Sequence, residues 1–296
     1  MPLALAGLGV MVLACTGGAG TATSISNGPA ISLVTTLYPL EYFAGRIGAQ
    51  RVSVENLVSP GVEAHSFDPT PADIRKLDAA DVILYNGFGF EPWIDRALTA
   101  IGEKDRTVIR VGQEGGAMDG GQVGDEPDPH VWLDPRNAAA IVRFMVIVMA
   151  NADPANAVLY RRNGADLLAR LGTLEAALRQ SLEPVAGVSY LTFHDAFGYF
   201  EDRFGLASAG AVAVTPERPP GAKRISALRR RIKAGNTACV FTEPEFEPAL
   251  AGTLIEGTKA RIGILDPLGA GLKPGPGLYG ELMRGLAESL KECLKP

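Results

Sequence analysis

The stretch from Asp153 to Val185, DPANAVLYRRNGADLLARLGTLEAALRQSLEPV, constrains the fold most. Asp153 stands where a helix cap belongs, and Pro154 takes the first helical position. Leu159, Leu167, Leu171, Leu174 and Leu178 recur at an approximately helical period until Pro184 stops the run. A helix over 153–184 has a length of about 45 Å at about 1.5 Å per residue. A rod of that length can run the height of two lobes and join them. Gly164 and Gly172 are its weak points.

Both flanks of this segment alternate between strand and helix. Before it, ISLVTT and VSVENLVSP read as strands, and TPADIRKLDAA reads as a helix with Thr70 as cap, Pro71 at its first position and Asp73 in its first turn. DVILYNG is a buried strand closed by Asn-Gly, EPWIDRALTAI a short helix, RTVIRVG a strand and PRNAAAIVRFMVIVMANA a helix. After it, VSYLTF, SAGAVAV, TACVFTEP and ARIGIL read as strands, separated by helices such as RISALRRRIKAG and closed by GLYGELMRGLAESLKECL. This alternation predicts α/β architecture with parallel sheets flanked by helices. At 296 residues the chain exceeds what one core usually serves, so two similar α/β lobes joined by one long rigid helix are expected. The boundaries read as a signal and tether over 1–30, an N-terminal lobe over 31–152, a linking helix over 153–184 and a C-terminal lobe over 185–296. No short repeat is visible, which excludes solenoids and propellers.

MPLALAGLGVMVLAC is apolar and uncharged, and a Gly/Ser/Thr-rich tether follows it. It reads as the core of an export signal, although no basic residue precedes it and the first is Arg46. It is too short to span a membrane, which takes about 20 apolar residues. VLAC also resembles a lipoprotein box with Cys15 as acceptor; simple cleavage near GTATS is the alternative. The expected location is periplasmic. Cys239 and Cys293 then remain as a pair in an oxidising compartment, where a pair usually bridges. The bridge is worth about 4 kcal/mol in the chain-entropy model. Two buried free thiols are the alternative, and the spacing does not fit a zinc ribbon. With net charge −5 and no basic stripe interleaved with aromatics, the chain gives no sign of nucleic-acid binding.

The chain has three histidines: His65 in SPGVEAHSFDP, His130 in DEPDPHVWLDP and His194 in SYLTFHDAF. Each follows a strand-like segment or sits in a turn, where α/β proteins place ligand sites. A lone histidine there more often caps or hydrogen-bonds than binds metal. Three such residues, with none on a plain helix face, raise the case for a zinc site. No HExxH or CxxC signature is present. Asp128, Asp134 and Asp195 lie beside His130 and His194 and are candidate imidazole orienters or solvated acids. The acidic, Gly-rich loop 113–129 has neither helical nor strand period.

GVEAHSFDPTPADIRKLDAADVILYNGFGFEPWI, DPHVWLDPRNA, FHDAFGYF, VFTEPEF and ILDPLG occur in an order that resembles the metal-binding proteins of cluster-9 ABC importers, the zinc-specific ZnuA-type branch most closely. The resemblance covers nearly all of 31–296. It implies two lobes with Zn²⁺ held between them by His65, His130 and His194, and Asp266 on the fourth side. Water or another carboxylate is the alternative at that position. Manganese-type relatives carry a carboxylate where His194 stands; imidazole there favours zinc. The resemblance also implies a Cys239–Cys293 disulfide in the C-terminal lobe. Two departures stand out. The loop before DPH lacks the histidines that zinc-type relatives often carry, and Ala64 replaces a glutamate before the first ligand, so no ligand role passes to Glu63.

The implied function is capture of zinc as a monomer in the periplasm and delivery to the membrane permease of an ABC importer, without chemistry on the metal. The rivals are a manganese or iron binder of the same fold, a zinc hydrolase with Glu243 or Asp195 as base, and a lipid-anchored adhesin.

Overall fold

The computed structural model describes residues 31–59, 61–116, 122–123, 126–213, 220–235, 237–244 and 249–295. The signal, the tether and Cys15 lie outside the described residues. In chain order the elements are β1 (Ile31–Thr35), α1 (Tyr38–Gly48), β2 (Val52–Asn56), α2 (Pro71–Ala79), β3 (Val82–Tyr85), α3 (Ile94–Ile101), β4 (Thr107–Arg110), α4 (Val111–Glu114), β5 (Gln122–Val123), β6 (Glu126–Pro127), α5 (Pro135–Ala152) and α6 (Ala157–Leu182). The second half holds β7 (Tyr190–Thr192), α7 (Gly198–Phe204), β8 (Ser208–Ala211), α8 (Ala222–Lys233), β9 (Cys239–Thr242), α9 (Ala249–Ile255), β10 (Arg261–Ile264) and α10 (Leu278–Leu294).

Two four-stranded parallel sheets result, ordered β2-β1-β3-β4 and β10-β9-β7-β8. Their topology is the same: the first strand of each lies inside, with the second strand on one side and the third and fourth on the other. Leu33 pairs with Val82 in one sheet, and Tyr190 with Cys239 in the other. β3 (VILY) and β9 (CVFT) are buried at every position, as strands covered by helices on both faces must be. α2 starts as its sequence dictates: Thr70 Oγ1 accepts from the Asp73 amide at 3.3 Å and Asp73 returns a bond to the Thr70 amide at 3.0 Å, with Pro71 opening the helix.

α6 is the expected spine, with 3-10 turns at Pro154–Asn156 and Glu183–Val185. Its buried face runs Ala157, Tyr160, Gly164, Leu167, Leu171, Leu174, Leu178 and Leu182. Tyr160 takes the inward position at the start, its hydroxyl donating to Asp153 at 2.7 Å, and Leu159 lies only partly buried. Gly164 is a contact rather than a weakness: a Cβ there would lie 2.4 Å from Val146 Cγ2 of α5. The chain approaches α5 closely because that position has no side chain.

One hydrophobic cluster runs through α1, α5, α6 and α10 and joins both sheets; a smaller one, with Leu191, Leu228, Ile232 and Val240, covers the other face of the second sheet. Polar ties cross between the lobes. Trp132 Nε1 donates to the Pro267 carbonyl at 2.8 Å, the Tyr279 hydroxyl donates to the Trp132 carbonyl at 2.8 Å, and Arg203 grips both oxygens of Asp134 at 2.7 and 2.5 Å. Cys239 of β9 is bonded to Cys293 of α10. The segment 113–129, expected to lack regular structure, contains the end of α4 and the antiparallel pair β5–β6, while 117–121 and 124–125 lie outside the described residues. No described helix is long and apolar enough to cross a membrane.

Candidate metal centre

The three histidines come from separate parts of the chain, and each is fixed locally. His65 follows β2. Its amide donates to Glu63 Oε1 at 3.0 Å, and the preceding Ala64 carbonyl accepts from Trp93 Nε1 at 2.9 Å. His130 opens the buried turn Val131–Leu133. One oxygen of Asp128 accepts both its amide, at 2.9 Å, and its ring Nδ1–H, at 2.8 Å. The Pro129 carbonyl between them accepts from Asn86 Nδ2 at 2.7 Å, which ties this turn to the end of β3. His194 follows β7, and its Nδ1–H donates at 2.6 Å to Glu243, the residue directly after β9. Adjacent parallel strands thus end in an imidazole and the carboxylate that orients it, in the crevice where such sheets bind ligands.

One nitrogen from each ring lies within 4.8 Å of the others. Nε2 of His130 and Nε2 of His194 are 3.3 Å apart. With Nδ1 of each ring committed to a carboxylate, Nε2 is the nitrogen that each has left to offer a cation. His65 Nε2 is buried and has no hydrogen-bond partner, while its ring bonds to the Phe90 backbone. Burial, reinforced by the other two imidazoles, pushes His65 down to about 2 against the weaker pull of Phe90, so it is a neutral donor at any physiological pH. Phe90 lies 4.2 Å from the His65 ring and 5.7 Å from that of His130, and Trp132 lies 5.4 Å from His130. Three convergent nitrogens, two held by carboxylates, inside an aromatic wall suit a borderline-soft cation such as zinc. A groove of about 680 Å³ lies elsewhere, along α6 and α10 beside Tyr42 and Arg284, and shares no residue with the imidazoles.

The acids sort differently from expectation. Of the three candidate orienters, Asp128 alone bonds an imidazole. Asp134 caps α5 through the Arg136 amide at 2.8 Å and pairs with Arg203. Asp195 is half-buried; burial and then Asp128 raise its pKa against His130, His194 and Arg224. Glu243, considered only as an enzymatic base, is the orienter of His194. Its sequence signals are its place at the end of a strand and inside the VFTEPEF motif. Asp266 is not in the close cluster of three nitrogens; its Oδ1 accepts from the amides of Leu268, at 3.1 Å, and Gly269, at 2.6 Å. The turn bearing it is nonetheless adjacent to the site, since Pro267 accepts from Trp132.

The fold and this geometry agree with the similarity to known proteins. The family model described as "Zinc-uptake complex component A periplasmic" matches residues 33–293. The high-affinity zinc uptake system protein ZnuA of Brucella abortus (strain 2308) is 33% identical over 320 residues, spanning 93% of this chain and 95% of its own length. That of Paracoccus denitrificans (strain Pd 1222) is 31% identical over 275 residues, spanning 81% and 84%. In fold, the chain is similar to the periplasmic zinc binding protein TroA from Treponema pallidum, with a TM-score of 0.81 at 23% identity over 90% of this chain and 99% of that one. With the match running from the first strand to the last helix, the chain belongs to the family of periplasmic zinc-uptake complex component A proteins.

Proposed function

We propose that this chain is the carrier of a zinc uptake system: it captures Zn²⁺ between its lobes through His65, His130 and His194 and hands it to the membrane permease of an ABC importer. The observation that carries the reading is the convergence of three imidazole nitrogens within 4.8 Å, contributed by both lobes. Asp266 closes the fourth side with the oxygen that its backbone bonds leave free. The N-terminal lobe, 31–152, supplies two ligands and the C-terminal lobe, 185–296, supplies His194 and Asp266, with 153–184 as the rigid link. Export through the segment 1–30, with Cys15 as candidate anchor, places the carrier in the periplasm, where it works as a monomer.

A carrier is favoured over a hydrolase by how the acids are used. Glu243 accepts from His194, which leaves it no lone role as a base near an open coordination position. Three imidazoles favour zinc over manganese, which suits oxygen-rich sites. The test is competition of the purified chain against a chromophoric chelator, with zinc and manganese in turn. The wild type is expected to take zinc in preference to manganese. His130→Ala is expected to weaken zinc binding by more than about 100-fold, beyond what loss of an orienting partner costs. Unchanged affinity in that variant sinks the site assignment.

A further inference from the structure

The helix α8, AKRISALRRRIK, carries six cations and no acid in a chain whose net charge is −5. Its apolar side, Ile225, Leu228 and Ile232, packs on the second sheet. Three of its arginines are tied down along the flanks: Arg224 to the carbonyls of Ala211 and Val212, Arg231 to that of Ala209, and Arg229 to that of Thr253 and to Glu256. Lys223, Arg230 and Lys233 are exposed, and among the described residues they form no hydrogen bond or ion pair. Lys223 and Arg230 are seven positions apart, nearly two full turns, so they share one side of the helix, and Lys233 is the next cation along it. Exposed Ser226 and Ala227 lie between them. The result is an outward stripe of unpaired cations about 15 Å long, opposite the buried face.

We propose that this stripe rests the chain on an anionic phospholipid surface. A shaped protein partner is recognised through an apolar interface core ringed by polar groups. None of the exposed large hydrophobic residues among the described ones lies on α8, and the flanking side chains are small or committed to carbonyls. A row of free cations without an anchor fits charges that are diffuse and laterally mobile, as headgroups are. The acidic remainder of the chain does not cancel this attraction, because screening limits each charge to about 8 Å at physiological ionic strength. The contact is weak and orienting, and it presents lobe two to the membrane in which a permease sits.

The test is flotation of the zinc-loaded mature chain, without the segment 1–30 so that neither the apolar leader nor a lipid on Cys15 binds vesicles, with vesicles of mixed phosphatidylcholine and phosphatidylglycerol, and with phosphatidylcholine alone. Retention on the anionic vesicles only, lost in about 0.5 M salt, is expected. At about fivefold per cation, Lys223→Gln/Arg230→Gln/Lys233→Gln should lower partitioning by about 100-fold. Zinc affinity and circular dichroism of the triple variant should match the wild type, which shows that it folds. Equal retention on both vesicle types, or an unchanged triple variant, overturns the proposal. So does a triple variant that partitions onto lipid as the wild type does yet loses zinc transfer to permease-containing vesicles, since the stripe is then a protein contact.

Discussion

At the residue scale, the site depends on two carboxylates as much as on three imidazoles. Glu243 and Asp128 fix the tautomers of His194 and His130 and raise their basicity toward a cation. Glu243→Gln preserves shape but removes the charge, and it should cost about 10–100-fold in zinc affinity, with His194 still a ligand. Chelator competition measures this, and a loss as large as that of His194→Ala would show that Glu243 holds more than tautomer. His65 gives a pH signature. An imidazole whose pKa falls on folding takes up its proton in the unfolded chain, so between about pH 2 and 6.5 acid favours unfolding, and stability rises as pH climbs toward 6.5. The zinc-free chain should lose up to about 1.4 kcal/mol per pH unit below 6.5 from this group, measured by urea unfolding at about pH 7 and about pH 5.5. His65→Gln should flatten that slope; an equal slope assigns the protons elsewhere. The three histidines that converge were legible as candidates in the sequence because histidine is scarce and each one follows a strand or sits in a turn. Their partners were not: Asp128, Asp134 and Asp195 look alike in sequence, and only the turn geometry after Pro129 and the Arg203 contact decide which of them meets a ring.

At the element scale, α6 shows where periodicity informs and where it misleads. Leu167, Leu171, Leu174 and Leu178 were readable as one face, and they are. Leu159 fell outside it because Tyr160 satisfies both the core and Asp153. The two glycines looked equivalent and are not. A Cβ at Gly172 meets nothing within 4 Å, whereas one at Gly164 collides with Val146. Gly172→Ala should therefore stabilise the chain by about 0.5–1 kcal/mol, the ordinary gain for a helix interior. Gly164→Ala should destabilise it by about 1–3 kcal/mol through overpacking. Val146→Ala combined with Gly164→Ala should recover most of that loss. Urea unfolding of the three variants beside the wild type decides this, and a stabilising Gly164→Ala would mean that α5 and α6 can separate at no cost. The parallel sheets and their shared order follow from the strand–helix alternation on either side of this helix. The short pair β5–β6 does not, since two-residue strands leave no periodic trace.

At the scale of the whole molecule, the two lobes are bound together more tightly than two separate α/β units need be. One hydrophobic cluster runs through both, and the Arg203–Asp134 pair bridges them just beyond the turn that carries His130. Asp134 is 4% exposed. Without Arg203 its carboxylate keeps the Arg136 amide and loses its countercharge, which costs about 1.5–3 kcal/mol for a charged hydrogen-bonding group. Arg203→Ala should therefore destabilise the chain by that amount. Asp134→Asn added to Arg203→Ala should be milder than Arg203→Ala alone, because the unpaired buried charge is gone. Neither residue belongs to the imidazole cluster, so the ligand set is intact in both variants. Zinc should nonetheless leave Arg203→Ala faster, about tenfold, because the turn bearing His130 loses its anchor to the other lobe. Stopped-flow release into excess chelator measures that rate, and an unchanged rate would confine the pair to stability. Trp93 bonds to Ala64 inside the N-terminal lobe, whereas Trp132 bonds across to Pro267, so in a Trp132→Phe background tryptophan fluorescence reports the N-terminal lobe while far-ultraviolet circular dichroism reports both. If the shared core makes the molecule one cooperative unit, the two transitions coincide in that background and move together when Arg203→Ala is added. Separate transitions would mean that each lobe folds alone, and that the long helix joins two independent domains instead of extending one core.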